Sequence, residues 1–468
     1  MTGTPAAIAL AQGGLLTLAW ISLLVVLARN AVSLAQLLAA AWVFARRIKP
    51  APRSIDLWSR YEDLAPPVSV VALQTTRVLG VYGSDRFPNL LVVDKENGRK
   101  ADAANAGIGF AITPLVCVID ADSIIEPDGL LRATEPFMTD NGDLVAVGGA
   151  IRIVNGSAVE GGHIARIGMS TRWLPRFQVV EYMRAFLTAR VANANLGILL
   201  LISGAFGIFK RSVLVEIGGY RHDTVGEDLE LVTRMHRYLR ERRRPYRIEF
   251  VPEVVCWTEA PETLVGLRNQ RSRWQQGALE TLTEHARMIG NPRYGRVGLV
   301  AMPLVVLEDV LGPPMELIGY LVIPAAYLLG ILSPWTALAF LSLTFVFGTG
   351  ISIGTLVLEE RQLRRTPNAA DLARLALAAV VENFGYRQIN LVYRLRGIIR
   401  FWRKDSSWAA VPRVGFDRAQ SDKTDWPLTA ERRAAEAEPT PYERPSNASD
   451  AAVQNDTPAL LDQRKTAA

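Results

Sequence analysis

Large apolar side chains crowd into two blocks of this chain, residues 6–45 and roughly 297–400, with a long polar stretch between them. A run of about 20 apolar residues without charge is long enough to cross a bilayer. Residues 6–28 carry no ionised side chain and meet that test. Residues 31–45 form a shorter run, set off by Arg29 and Asn30, so the first block can hold one span or two. A cleaved export signal is the competing reading, but this apolar region is too long and no convincing cleavage site follows it. Arg46, Arg47 and Lys49 follow the block. Basic residues beside a span stay on the cytoplasmic side, so residues 51–295 are expected to be cytoplasmic.

The formal charge is +6. Arginine and lysine beside the spans, facing anionic lipid, account for it. No basic stripe interleaved with aromatics points to a nucleic-acid partner. The two cysteines, Cys117 and Cys256, sit in β-like apolar runs, and a disulfide is not expected in a cytoplasmic setting. No Cys/His cluster has zinc spacing.

Between residues 66 and 295 short apolar runs alternate with helical patterns. Residues 68–73, 89–94, 115–119 and 144–154 read as strands, and residues 101–110 as a helix. That alternation predicts an α/β sheet with parallel strands, whose ligands bind beyond the carboxyl ends of the strands. From Arg296 the pattern changes. Residues 317–332 and 336–358 read as spans, and residues 371–402 as an interfacial helix or a further span. Residues 417–468 are poor in large apolar side chains and are expected to be disordered. The resulting division is one or two membrane segments over 1–48, a cytoplasmic domain over 49–295, membrane and interfacial helices over 296–405, and a disordered tail over 406–468.

Several polar clusters could carry chemistry. Asp120-Ala121-Asp122 follows the apolar run 115–119. Alternate residues of an extended segment share a face, so both carboxylates can address one hard divalent cation that takes its other oxygens from phosphate and water. A solvated turn is the plain alternative. Glu227 and Asp228 open a helical run, where acids are favoured by the helix dipole. The sharper reading makes Asp228 a general base for a hydroxyl. Gln270, Arg273 and Trp274 share a helical face. An arginine fork suits a diphosphate and an indole suits a sugar ring. An amphipathic helix with snorkelling Arg268, Arg271 and Arg273 fits equally well. Lys100 and Asp102 lie at a helix start, a place that favours anions, though an ordinary loop and cap would look the same. Ser203-Gly204 ends an apolar run, where small residues allow close approach of a sugar chain or mark a strand bend.

With these residues in view, the chain resembles the processive, membrane-bound, inverting glycosyltransferases of family two, the synthases of cellulose, hyaluronan, chitin oligosaccharide and poly-N-acetylglucosamine. The resemblance covers roughly residues 66–415. Lys100-Ala101-Asp102-Ala103-Ala104-Asn105-Ala106-Gly107 is similar to the family's nucleotide-contacting segment, Asp120-Ala121-Asp122 to its metal motif, and Ser203-Gly204 to its acceptor loop. Gln270-Arg271-Ser272-Arg273-Trp274 fits Gln-x-x-Arg-Trp, and residues 382–388 resemble a terminal helix of bacterial members. Gly226-Glu227-Asp228 stands where Thr-Glu-Asp is usual.

The resemblance implies a GT-A-like, Rossmann-like cytoplasmic domain between transmembrane helices of the inner membrane. It implies a nucleotide-sugar donor, a UDP-sugar, a polysaccharide acceptor, and Mg2+ or Mn2+. Asp122 and Asp120 would hold the metal, while Lys100, Asp102, Asp120, Gln270, Arg273 and Trp274 would contact the nucleotide-sugar. Asp228 would be the base, and Ser203, Gly204, Glu227 and Trp274 would face the acceptor.

The family also carries a Tyr-Asn-Glu type segment and then an Asp-Asp-Gly-Ser type segment after its first strand. Here residues 74–86 lead directly to Phe87 and Pro88, and neither segment appears. A βαβ unit takes about 30 residues, so one βα unit is expected to be missing, the one that would hold base and ribose. The runner-up expectation is therefore a catalytically impaired homologue acting as a membrane partner or scaffold. Glu308, Asp309 and Glu316 near the spans give a third, transporter-like reading.

Overall fold

The computed structural model describes residues 4–46, 68–71, 76–84, 87, 89–362, 369–405 and 407. The expected disordered tail over 417–468 lies outside them.

Among the described residues ten strands form one mixed sheet and two hairpins, the hairpins being β2 (Val78–Gly83) with β3 (Leu91–Lys95) and β7 (Ala158–Glu160) with β8 (His163–Arg166). The sheet contains β1 (Val68–Val71), β4 (Leu115–Ile119), β5 (Ile124–Ile125), β6 (Leu144–Ile153), β9 (Phe206–Lys210) and β10 (Arg247–Thr258), in the order β1-β4-β9-β6-β10-β5. The expected parallel sheet is corrected in two places. β9 runs antiparallel to both β4 and β6, and β5 runs antiparallel to β10. Only β1 with β4 and β6 with β10 are parallel. An apolar run records that a strand is buried on both faces but not its direction, so the insertion of β9 between β4 and β6 has no local signature.

A second correction concerns residues 89–94. They do not join the sheet. β3 (Leu91–Lys95) pairs antiparallel with β2 (Val78–Gly83) as a separate hairpin. A parallel return needs a dozen or more residues, and the chain between Val71 and Val78 is too short for one. Gly80 and Gly83, poor helix residues, lie in β2. Among the described residues the crossover from β1 to β4 contains one helix, Arg99–Phe110, and no strand pairs with the outer side of β1.

Both faces of the sheet are covered, which the alternation in β4 makes explicit. Val116 and Val118 point into a core with Ala101, Ala104, Leu231 and Met235. Leu115 and Cys117 point into the opposite core with Ala133, Phe186 and Val255. Helices Arg99–Phe110 and Glu227–Glu241 therefore lie on one face, and Gly129–Met138 and the segment 173–195 on the other.

The amino-terminal apolar block is one helix, Thr4–Arg46, of 43 residues. Arg29, in its middle, pairs with Glu316 at 3.0 Å. Among the described residues three helical stretches are long and apolar enough to cross a membrane: Ala11–Arg46, Val297–Leu328 and Pro334–Arg361. Residues 371–402 fall into two helices, Ala369–Val381 and Tyr386–Trp402, and neither is a candidate span. Gly385, at φ +97°, begins the second helix. Ala40, Val43 and Phe44 of the first helix pack with Val180, Leu187, Leu356 and Leu375, joining the apolar helices to the sheet layers.

Candidate active site

β4 carries Asp120 just past its last residue, and a turn follows in which the Ser123 amide donates to the Asp120 carbonyl at 3.0 Å. From the first turn of helix Arg99–Phe110, Lys100 reaches across. Its Nζ lies 2.5 Å from Asp120 Oδ1 and donates to the Gly204 carbonyl at 2.6 Å. The Gly204 amide in turn donates to Asp228 Oδ2 at 3.0 Å, and the Leu229 amide donates to Asp228 Oδ1 at 2.8 Å. Lys100, Asp120, Gly204 and Asp228, far apart in sequence, thus form one hydrogen-bonded chain. A Cβ at position 204 would sit 2.6 Å from Lys100 Nζ, so a side chain there would push the lysine out of this position. Ser203 shapes the same turn, its Oγ accepting from the Ala205 amide at 3.4 Å.

The cluster is acidic around one cation. Burial pulls the Lys100 ammonium down, but Asp120, Glu227 and Asp228 together outweigh burial and hold it above its ordinary value. Burial, then repulsion from Asp228, pushes the Glu227 carboxyl up to about 7, with Lys100 and Arg273 acting in the opposite sense. Arg273 thereby brings the field of helix Leu264–Glu284 to the cluster. Behind the Asp120 turn, burial pushes the Cys256 thiol up to about 12, so it stays neutral.

Asp102 is not brought into this chain. Its carboxylate pairs with Lys95 of β3, beneath Gly98. Gln270 is buried, and among the described residues its Oε1 has no hydrogen-bond partner. Trp274 is 44% exposed. The picture of snorkelling arginines is corrected at Arg271. It is buried, pairs with Glu181 at 2.8 Å, and lies 4.4 Å from the centroid of the Trp274 ring. Helix Tyr386–Trp402 holds this helix closely. The Ser272 hydroxyl donates to the Tyr393 carbonyl at 2.9 Å, and a Cβ on Gly397 would sit 2.5 Å from the Ser272 carbonyl oxygen.

Three contributors escaped the sequence reading. Asn105 clasps the Tyr220 backbone from both sides, donating to its carbonyl at 2.7 Å and accepting from its amide at 2.6 Å. Arg190 ends a π-helical stretch, Arg184–Arg190, a local form frequent at functional sites. Its guanidinium lies 3.7 Å over the Phe186 ring, and among the described residues its Nη1 has no hydrogen-bond partner. Burial lowers it to about 10, while Asp228 acts in the opposite sense. A lone arginine in the apolar run around residues 186–191 was the available signal. Glu181 gave none.

Among the described residues no group of three or more His, Cys, Asp or Glu side chains converges as a metal cage. A hard ion that takes most of its oxygens from a bound diphosphate and water needs only one or two protein carboxylates, and Asp120 and Asp122 are the candidates the sequence offers.

A family model, Glycosyl transferase family group 2, matches residues 115–353, just over half of the chain. The poly-beta-1,6-N-acetyl-D-glucosamine synthase of Staphylococcus aureus is 34% identical over 203 residues, covering 43% of this chain and 44% of that protein. The synthase of the same name from Staphylococcus epidermidis is 32% identical over the same length and the same shares. The chain thus matches less than half the length of these relatives. A mannosyltransferase from Pyrobaculum calidifontis, solved in complex with GDP-Man and Mn2+, aligns with TM-score 0.44 and 16% identity, over 82% of this chain and 99% of that one.

Proposed function

Because this chain belongs to glycosyl transferase family group 2, we propose that it moves a sugar from a nucleotide-sugar, a UDP-sugar, onto a growing β-linked polysaccharide, inverting the anomeric carbon. The reaction takes place at the cytoplasmic face of the cell membrane, with the three apolar helices as spans. The observation that carries this reading is the continuous chain Asp120–Lys100–Gly204–Asp228. It gathers one of the two acids for a cation, a lysine for phosphate and a base for a hydroxyl.

In this reading Asp228 accepts the proton of the acceptor hydroxyl. Two backbone amides hold its carboxylate in place, and a carboxylate has lone pairs beyond those two bonds. Lys100 binds a phosphate oxygen when the donor enters. Arg273 grips the diphosphate with a planar fork. Gln270 Oε1, buried without a partner among the described residues, accepts from a donor or acceptor hydroxyl. The open part of the Trp274 indole stacks on the acceptor ring. Asp120 and Asp122 would hold Mg2+ or Mn2+, which supplies charge neutralisation on the departing diphosphate.

One observation favours a second reading. β1 has no strand on its outer side among the described residues, and the β2–β3 hairpin stands apart from the sheet. A chain lacking the unit that holds base and ribose would instead serve as a membrane partner or scaffold. Incubation of membranes with labelled nucleotide-sugars and Mn2+ decides between them. UDP-N-acetylglucosamine is the first donor to test, given the staphylococcal relatives. High-mass product that disappears in Asp122→Ala and Asp228→Asn supports the enzyme. No incorporation from any donor rejects it.

A further inference from the structure

Arg271 contradicts the usual behaviour of arginine on a membrane-side helix. It is 5% exposed. A buried guanidinium is costly unless paired and hydrogen-bonded, and here the pairing is specific. Glu181 Oε2 lies 2.8 Å from Arg271 Nη2 and also accepts from the Tyr386 hydroxyl at 2.7 Å. The guanidinium faces the Trp274 ring at 4.4 Å, a cation–π contact. Trp274 is thus held by a buried, anchored group while 44% of it remains open.

The anchors come from separate elements. Glu181 belongs to helix Trp173–Met183, and Tyr386 is the first residue of helix Tyr386–Trp402. Three positions after Glu181, on the same helical face, Arg184 lies 2.5 Å from Glu382 and donates to Ser352 Oγ at 2.6 Å. Ser352 lies in the candidate span Pro334–Arg361. An exposed aromatic next in sequence to Arg273, which acts on Glu227, is therefore tied through buried charges to an apolar helix. An aromatic already held in one orientation loses less freedom when a ligand stacks on it.

We propose that Arg271, Glu181 and Tyr386 are positioning residues that fix the Trp274 indole as the acceptor platform and thereby set acceptor affinity and product length. This deepens the glycosyltransferase reading and rests on it. Lysine keeps the charge but cannot lie flat on the indole. Arg271→Lys is expected to raise KM for a short N-acetylglucosamine oligosaccharide acceptor about 3- to 10-fold. The KM of the nucleotide-sugar stays within about twofold and the polymer shortens. Glu181→Gln and Tyr386→Phe move the same parameters by less. In a double-mutant cycle, Arg271→Lys adds nothing further to Trp274→Phe. Additive effects, or a donor KM that rises in step with the acceptor KM, overturn the proposal. If the parent protein incorporates no sugar, the glycosyltransferase reading fails by itself. The clamp is then judged from the Trp274 emission, taken as the parent spectrum minus that of Trp274→Phe. Arg271→Lys must shift that difference, and an unchanged difference overturns the clamp.

Discussion

Gly226 and Gly277 meet backbone to backbone. A Cβ on Gly277 would lie 2.6 Å from Gly226 Cα, and a Cβ on Gly226 would lie 2.8 Å from Gly277 Cα. The contact accounts for glycine at 226, where the resemblance implies threonine. A hydroxyl is supplied two residues earlier: Thr224 Oγ1 donates to Glu280 at 2.8 Å and accepts from the Gly226 amide at 3.1 Å. Gly226→Thr should therefore destabilise by about 1–3 kcal/mol through overpacking. That corresponds to a fall of roughly 2–10 °C in melting temperature, measurable by scanning fluorimetry in detergent. Unchanged melting would contradict the contact.

Lys100 is the cation at the centre of Asp120, Glu227 and Asp228. Removing one partner of a buried, hydrogen-bonded charge pair costs about 2–5 kcal/mol. Lys100→Met should lower the initial rate of labelled-sugar incorporation by roughly 30-fold or more, while Lys100→Arg retains part of it. A normal rate in Lys100→Met would remove this lysine from the site.

Glu227 gives a signed pH effect. Its carboxyl is raised to about 7 from an ordinary 4.5. Between those values the folded protein holds a proton that the unfolded chain has released. The resulting stabilisation is complete below the lower value and lost as pH rises through the upper one. Glu227→Gln imitates the protonated form. The two proteins should melt alike near pH 4.5, and Glu227→Gln should become the more stable as pH passes from about 5 to 8. A melting difference that is flat across that range would rule the effect out.

Arg29 and Glu316 join two candidate spans. Breaking a partly buried pair from one side leaves a bare charge among apolar helices, whereas replacing both partners with apolar residues is often neutral. Arg29→Leu should reduce the monodisperse fraction on size exclusion in detergent. Arg29→Leu combined with Glu316→Leu should recover most of it. A double variant as poor as the single one would show that the pair acts by some other route.

Much of the site was legible because its parts are local. Asp120 follows an apolar strand, Glu227 and Asp228 open a helix, and Gln270, Arg273 and Trp274 share a helix. Each pattern is written in neighbouring residues. Strand direction is not, so β9 was missed as an antiparallel insertion. Nor could the sequence show that Arg271 turns inward, because its partners Glu181 and Tyr386 lie on other helices. No neighbouring residue announces that Lys95 takes the Asp102 carboxylate. Gly226 departs from the pattern the resemblance implies, and Gly277, distant in sequence, supplies a reason.

The amino-terminal helix has 43 residues, so it is about 65 Å long, while a bilayer core absorbs only about 30 Å. The remainder is still rigid helix, continuous with the part that packs against the helices of the sheet layers. A slack tether would tolerate an extra residue. A post does not: one insertion before Ala40 would turn the face bearing Ala40, Val43 and Phe44 by about 100° and unseat its packing on the helices beneath the sheet. Along this helix distance and orientation are thus locked together, and a change in its length is also a change in the direction its packing face points.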